Sequence, residues 1–483
     1  MKDLKRKALA GLAWSFLERF SLQGIGFVVS VILARVLLPE QFGLIGMLSV
    51  FLAVGNSLID SGLTSSLIRT ENPTNADYST VFFINLVGSV FVYAVVYATA
   101  PLIASFYNQS DLTQISRIYC LSFIIRAFTS VQNTRLTKEM DFKTQMTVQT
   151  VAIVVGGGTG VWMALAGYGV WSLVGMHLVQ STSVSAHLWV VTNWRPSFLL
   201  DWRRLREHFD FGYKLTLSGM LNTIYQNLYV LIIGKFFNAA ELGFFTRANS
   251  MRQLPLRNIS SALDKITYPV FASIQSEDAR LKRWYRRLMQ QVLFWLSPLL
   301  IWMAVVAKPL FVLLFTEKWL PAAEYFQILC VSGIFYPLAA YNLNILKVKG
   351  RSDLVLRLEV IKKTYTTLLI FAVIPFGIKG LLTFQVVTTL VGFLVNTYYS
   401  GRLIGYGLLE QIRDFIPVII LSIAMGVVVG LEVRLLEWFV TEPSNILQVL
   451  VTGCTALPLY LLIGWALGMA PVRDFKALIL DRA

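Results

Sequence analysis

Two stretches decide the reading of this chain: Ala34-Arg-Val-Leu-Leu-Pro-Glu-Gln-Phe-Gly-Leu44 and Gly234-Lys-Phe-Phe-Asn-Ala-Ala-Glu-Leu-Gly-Phe244. They lie 200 residues apart, with Arg35 opposite Lys235 and Gly43 opposite Gly243. Each is a short polar break between two long apolar runs, so each reads as the end of one helix and the start of the next. A fainter echo relates Gly169-Val-Trp-Ser-Leu to Gly380-Leu-Leu-Thr-Phe. The repeat predicts a duplicated helical architecture, with helices 1/2 answering helices 7/8 and helices 5/6 answering 11/12.

Composition says where such helices would sit. Of 483 residues, 56% are hydrophobic and only 14% charged, and the mean hydropathy is +0.63. Soluble domains carry about 25% charged residues, so this chain has too little polar surface for a water-facing globule. The expected class is an all-α integral membrane protein. Apolar segments fall at 11–37, 42–67, 79–105, 112–133, 145–166, 169–192, 211–236, 241–262, 289–315, 322–346, 354–376, 380–400, 414–436 and 445–470. Fourteen spans of about 20 to 25 residues would use roughly 280 to 350 residues, which leaves no room for a soluble catalytic domain.

Charge placement tests the count independently. Basic residues crowd the N-terminus (Lys2, Lys5, Arg6, Lys7) and then every second connection, from Arg69 and Arg135/Lys138/Lys143 through to Arg402 and Arg413, with Arg473, Lys476 and Arg482 in the tail. The alternate connections hold little beyond Lys318, Lys379 and Arg434, about 26 against 3 in all. By the positive-inside rule both termini are expected in the cytoplasm. An even number of spans per repeat puts both copies the same way up. The expected organisation is therefore an N-lobe of TM1–6 (1–193), a linker (194–210), a parallel C-lobe of TM7–12 (211–403), and TM13–14 with a cytoplasmic tail (404–483). Duplicated halves around a central site are a transporter architecture.

The net charge of +15 follows from these cytoplasmic loops and needs no nucleic acid. Trp202-Arg-Arg-Leu-Arg and Arg280-Leu-Lys-Arg-Trp-Tyr-Arg-Arg alternate basic and apolar residues and suit anionic lipid headgroups. Cys120, Cys330 and Cys454 read as packing residues. With His177, His187 and His208 at no metal-ligand spacing, neither a metal site nor a cofactor is expected. The basic start lacks a cleavage signature and reads as the first spanning helix.

Ionisable groups inside a bilayer cost at least about 2.5–3.5 kcal/mol on insertion scales, so by default they pair or line a cavity. Glu18 and Arg19 lie in the first span, Asn56 and Asp60 one turn apart in the second. Glu18 and Asp60 both fall roughly 10 Å inside the cytoplasmic leaflet at 1.5 Å per residue. Spacing-four stripes follow: Ser122, Arg126 and Ser130; then Lys214, Ser218, Asn222 and Gln226. Helix 8 adds Arg247, Arg252 and Arg257. These stripes predict a water-filled, positively lined cavity between the halves, suited to anionic cargo. Arg19, Arg126, Lys214, Asn222, Gln226 and Arg247 are the candidate cargo contacts, with Glu18 and Asp60 the candidate ion-coupling carboxylates. The opposing reading is a set of silent ion pairs and snorkelling side chains. No nucleotide-binding loop appears, so drive would come from an H+ or Na+ gradient or from cargo supply.

Leu38-Pro-Glu-Gln-Phe-Gly-Leu-Ile-Gly-Met, Leu58-Ile-Asp-Ser-Gly-Leu-Thr-Ser-Ser-Leu-Ile-Arg, Tyr268-Pro-Val-Phe-Ala-Ser-Ile-Gln and Phe315-Thr-Glu-Lys-Trp together resemble the polysaccharide transporter family. That family belongs to the multidrug/oligosaccharidyl-lipid/polysaccharide flippase superfamily. The likeness runs over essentially the whole chain and is strongest to Wzx-type colanic-acid and teichuronic-acid exporters. The resemblance implies a V-shaped pair of lobes that flips undecaprenyl-pyrophosphate-linked oligosaccharide across the cytoplasmic membrane by alternating access. It also implies partners among membrane lipids and polymerase or export machinery.

Three rivals remain. A drug/ion antiporter of the same superfamily would want a more acidic lumen. A lipid II flippase shares the span count and the cationic cavity. A membrane polymerase or glycosyltransferase would want a large extramembrane loop with catalytic carboxylates, whereas the longest connection here, 263–288, is basic.

Overall fold

The breaks at the two copies of the repeat become helix boundaries at the same register. In the computed structural model, which describes residues 22–60, 62–198, 201–440 and 443–473, helix α1 (Leu22–Val36) gives way to α2 (Pro39–Asp60). Two hundred residues on, α10 (Leu228–Phe236) gives way to α11 (Ala239–Ser273). Side chains of residues 60, 202–205, 207–212, 214–215 and 259–269 also lie outside the described set. The copies start their helices by different devices. Pro39 stands at the first helical position, where a missing N–H costs nothing, and the Leu38 N–H donates to Gln41 Oε1 at 3.1 Å. In the second copy the Asn238 side chain is the cap, accepting from the Glu241 N–H at 2.8 Å.

The two starts also meet. A Cβ placed on Gly43 would run into the carbonyl oxygen of Ala239, and one placed on Gly243 would run into that of Pro39. Each glycine therefore admits the backbone of the other copy's first helical residue.

By internal packing the chain divides into two units, Met1–Gly243 and Phe244–Ala483. In the first, α3 (Leu63–Arg69), α4 (Asn75–Tyr107), α5 (Leu112–Tyr119), α6 (Ser122–Lys138), α7 (Phe142–Leu165), α8 (Trp171–Val191) and α9 (Trp202–Gln226) follow α2. A capping box of Thr74 and Asp77 opens α4, and Asp141 caps α7 through the Thr144 N–H. The pair α7/α8 packs closely because Gly156 faces Gln180 and the carbonyl of Met176, while Gly160 faces the Met176 side chain. This is the small-xxx-small pattern of helices that associate without a hydrophobic drive. The Trp194 indole donates to Asn75 Oδ1 at 2.7 Å, tying the segment after α8 to the start of α4.

In the second unit α12 (Asp278–Val305), α13 (Ala307–Phe315), α14 (Leu320–Val348), α15 (Ser352–Val373), α16 (Gly377–Ile404), α17 (Leu408–Phe439) and α18 (Asn445–Ala466) complete the chain. Its core joins an aromatic layer (Phe311, Phe315, Trp319, Phe326) to a buried polar knot. There Asn342 of α14 and Gln411 of α17 hydrogen-bond each other, Ser400 of α16 donates to Asn342, and Gln411 donates to the Tyr406 carbonyl at 3.1 Å. Ser297 and Ser422 join α12 to α17 at 2.8 Å.

Polarity runs opposite to that of a soluble protein. Val87, Leu102, Leu368 and Ile420 are exposed, while Asn85, Gln132, Asn342 and Gln411 are buried. Among the described residues eight segments are long and apolar enough to cross a membrane, and one of them, Ser352–Ile404, contains both α15 and α16. Helices occupy the described part of all fourteen expected positions; the fourteen-span count goes beyond those eight segments. No strand occurs among the described residues, so the chain is an all-α, multi-pass membrane protein. Cys120 and Cys330 are buried as expected, whereas Cys454 is exposed on α18.

Candidate functional site

The first unit contains an open-sided cavity of about 510 Å³ between α3, α6, α7 and α8. Helix α6 supplies one wall through Arg126, Ser130, Asn133 and Thr137, which recur every three or four residues and so share a face. Helix α8 supplies the facing wall through His177, Gln180, Ser181 and Val184, again at helical spacing. Gln149 of α7 and Thr64 of α3 complete it.

The wall of α6 is fixed by its own hydrogen bonds. Ser130 Oγ accepts from Asn85 Nδ2 at 3.0 Å. Gln145 Nε2 donates to the Asn133 carbonyl at 3.1 Å and to Thr137 Oγ1 at 2.9 Å. The imidazole of His177 is braced by the Tyr119 ring, 4.6 Å between centroids. Gln180 reaches its place because Gly156 leaves room for its backbone. In contrast to Ser130, whose hydroxyl is bonded to Asn85, the side chains of Gln149, His177 and Gln180 make no hydrogen bond to another described residue. They present free donors and acceptors to the cavity. Its ionisable lining is one guanidinium and one imidazole, with no carboxylate among the described lining residues. The described lining suits anions and hydroxyl-rich groups.

Of the residues singled out by sequence, Arg126 lines this cavity and is exposed within it. Its stripe partners divide: Ser130 lines the cavity, while Ser122 is buried with its hydroxyl unpartnered. Asn222 and Gln226 lie exposed on α9. Glu18 and Arg19 lie outside the described residues, as do the side chains of Asp60 and Lys214. Arg247 belongs to the second unit and is only 8% exposed. Its guanidinium lies 5.0 Å from the Phe315 ring centroid and 5.2 Å from that of Trp319, an aromatic seat for the cation. Arg252 is likewise buried, donating to Ser332 Oγ at 2.6 Å and Asn249 Oδ1 at 2.7 Å. Among the described residues no cluster of His, Cys, Asp or Glu is arranged to hold a metal ion.

Sequence reasoning missed Gln149, His177 and Gln180. Their own helices gave a weak signal, since Gln180 and Ser181 interrupt an apolar run, but nothing in the sequence shows that α7 and α8 close on α6.

Comparison with known proteins bears on the whole chain. Residues 32–324 match the sequence model of a family described as polysaccharide biosynthesis protein. The chain is similar to the teichuronic acid biosynthesis protein TuaB of Bacillus subtilis (strain 168), 24% identical over 89% of each chain. It is also similar to the lipopolysaccharide biosynthesis protein WzxC of Escherichia coli (strain K12), 24% identical over 88% of this chain and 89% of the other. A third relative is the succinoglycan biosynthesis transport protein ExoT of Rhizobium meliloti (strain 1021), 23% identical over 91% and 94%. Among solved structures, the fold is shared with the lipid II flippase MurJ in an inward closed conformation. That match has a TM-score of 0.74 and 12% identity, covering 94% of this chain and 99% of the other. An inward-facing multidrug MATE transporter of the MOP superfamily gives a TM-score of 0.62 at 16% identity, covering 79% and 95%.

Proposed function

The chain belongs to the polysaccharide biosynthesis protein family, whose sequence model matches more than half of it, and from that membership we propose that it is a flippase for lipid-linked oligosaccharide. The cargo is an undecaprenyl-pyrophosphate-linked repeat unit, carried across the cytoplasmic membrane by alternating access, and the protein itself catalyses no bond change. The observation that carries this reading is the pairing of family membership with a hydroxyl- and amide-lined cavity inside an apolar helical bundle, with Arg126 at its wall. Relatives named for teichuronic acid, lipopolysaccharide and succinoglycan biosynthesis, matched over nearly their full lengths, support a polysaccharide precursor as cargo.

The proposal includes fourteen spans with both termini in the cytoplasm and two lobes at 1–193 and 211–403, joined by 194–210 and followed by 404–483. Arg19, Arg126, Lys214, Asn222, Gln226 and Arg247 are its cargo contacts, at successive stages of transport. Buried charge–phosphate contacts contribute roughly 1.5–3 kcal/mol each. Glu18 and Asp60 are its carboxylates for H+ or Na+ coupling, and a polymerase or export complex is its downstream partner.

The test is reconstitution. Purified protein in liposomes should move a fluorescent undecaprenyl-pyrophosphoryl oligosaccharide to the inner leaflet or out of it faster than empty vesicles. An imposed proton or sodium gradient should change that rate. Equal movement in empty vesicles, or movement of lipid II in place of the oligosaccharide, would overturn the assignment.

A further inference from the structure

The cavity of the first unit is narrower in its chemistry than a general cationic lumen. At about 510 Å³ it falls within the range of about 300–1,000 Å³ typical of small-ligand sites. It is too small for a whole lipid-linked oligosaccharide, so only part of a cargo would fit. Its contents divide into two groups. Arg126 and His177 come from facing helices, and both can donate hydrogen bonds to a phosphate oxygen, the guanidinium always and the imidazole through whichever nitrogen carries a proton. Gln149, Gln180 and Ser181 are neutral and can each donate and accept, which is what a ring of sugar hydroxyls requires.

These groups are held ready. Tyr119 fixes the plane of His177, Gly156 sets the depth of Gln180, and Gln145 secures the turn of α6 that carries Asn133 and Thr137. A site built on rigid helices with bracing behind it is the arrangement that positions ligand groups well. Gln149, His177 and Gln180 make no hydrogen bond to another described residue, so their donors and acceptors face whatever enters the cleft.

We propose that this cavity is a glycosyl-phosphate subsite, in which Arg126 and His177 hold the phosphate and Gln149, Gln180 and Ser181 read the hydroxyls of the sugar attached to it. The inference rests on the flippase reading and adds to it which part of the cargo is read, and that it is read inside a single unit. The absence of a carboxylate among the described lining residues favours the anion. The carboxamides favour a sugar over a bare phosphate.

The probe for testing it is farnesyl-pyrophosphoryl-N-acetylglucosamine, a short-chain lipid-linked sugar, titrated by calorimetry into the full-length protein in nanodiscs. Inorganic pyrophosphate and phosphatidylglycerol serve as separate ligands. Arg126→Gln and His177→Gln should each weaken both the probe and pyrophosphate by about ten- to hundredfold, the loss that goes with a charged hydrogen bond. Gln149→Leu and Gln180→Leu should weaken the probe several-fold more than they weaken pyrophosphate. If Arg126→Gln does not accumulate, His177→Gln carries the same test. Unchanged probe affinity in the accumulating phosphate-side variants overturns the subsite. So does equal loss of probe and pyrophosphate in the carboxamide variants, or phosphatidylglycerol binding as tight as the probe. Failure here with flipping intact leaves the transport reading standing. Binding as expected without flipping in liposomes leaves the subsite standing and removes the transport reading.

Discussion

The carboxamides of Asn342 and Gln411 hydrogen-bond each other reciprocally, Asn342 Nδ2 to Gln411 Oε1 and Gln411 Nε2 to Asn342 Oδ1, each at 3.1 Å. The pair joins α14 to α17 across 69 residues of sequence and is fully buried. Asn342 also donates to the Leu338 carbonyl, so both side chains use most of their capacity where neither lipid nor water can replace a lost partner.

This pair should behave as a unit. Asn342→Leu or Gln411→Leu alone takes buried partners from the other carboxamide and should lower stability by about 1–3 kcal/mol. The double variant should cost less than the sum of the two, with a coupling of roughly 0.6–1.7 kcal/mol, as between polar groups inside membranes. Unfolding midpoints in mixed detergent measure this; strictly additive losses would mean the pair carries no mutual energy.

Gly43 and Gly243 should also be coupled. Each Cβ would meet a carbonyl of the other copy, so Gly43→Ala or Gly243→Ala must push the two helix starts apart, at about 1–3 kcal/mol by the usual cost of overpacking. Once they are apart, the second methyl meets nothing new, and the double variant should be little worse than the worse single one. Thermal denaturation of the four proteins decides the point.

Two glycines of α7, two residues apart, separate propensity from packing. Gly158 has open space where a Cβ would stand, whereas at Gly156 it would lie 2.7 Å from Gln180 Cβ and 2.9 Å from the Met176 carbonyl. Gly158→Ala should therefore stabilise by about 0.5–1 kcal/mol through helix propensity alone. Gly156→Ala should destabilise, and by moving Gln180 should also weaken probe binding. Opposite signs at the two positions are the expected readout.

The alternating basic connections make a prediction about sidedness. In a background where Cys454, the exposed thiol, is replaced by Ser, cysteines at Asn108 and Asn238 should react with an impermeant maleimide in intact cells. Cysteines at Ser276 and Ser352 should react only after permeabilisation. Labelling of Ser276 from outside would break the fourteen-span topology.

Much of the fold was legible because apolar length is a local signal. The 200-residue repeat even placed α2 and α11 at matching first residues. The site was legible only where one helix carried its own pattern. Arg126 and Ser130 recur on a face that does line a cavity, whereas Arg247, spaced by five from Arg252 and Arg257, lies against Phe315 and Trp319. Those rings lie about seventy residues further along, and no helical period announces them. His177, Gln149 and Gln180 escaped for the converse reason: each is a single polar residue in an apolar helix, and its meaning depends on which helix closes over it.

The meeting of Gly43 and Gly243 also sets a timetable for biosynthesis. The first turn of α2 finds its partner only after another 200 residues have been made, which at about 5–20 residues per second takes roughly 10–40 s. Through that interval the α2 start is already threaded into the membrane with its glycine notch open. An early-emerging segment must thus wait, unsatisfied but lipid-compatible, for one of the later helices to arrive. A ribosome stalled before residue 239 would leave that notch empty, and such nascent chains should be more readily cleared by membrane proteases than chains stalled just after the second copy has emerged.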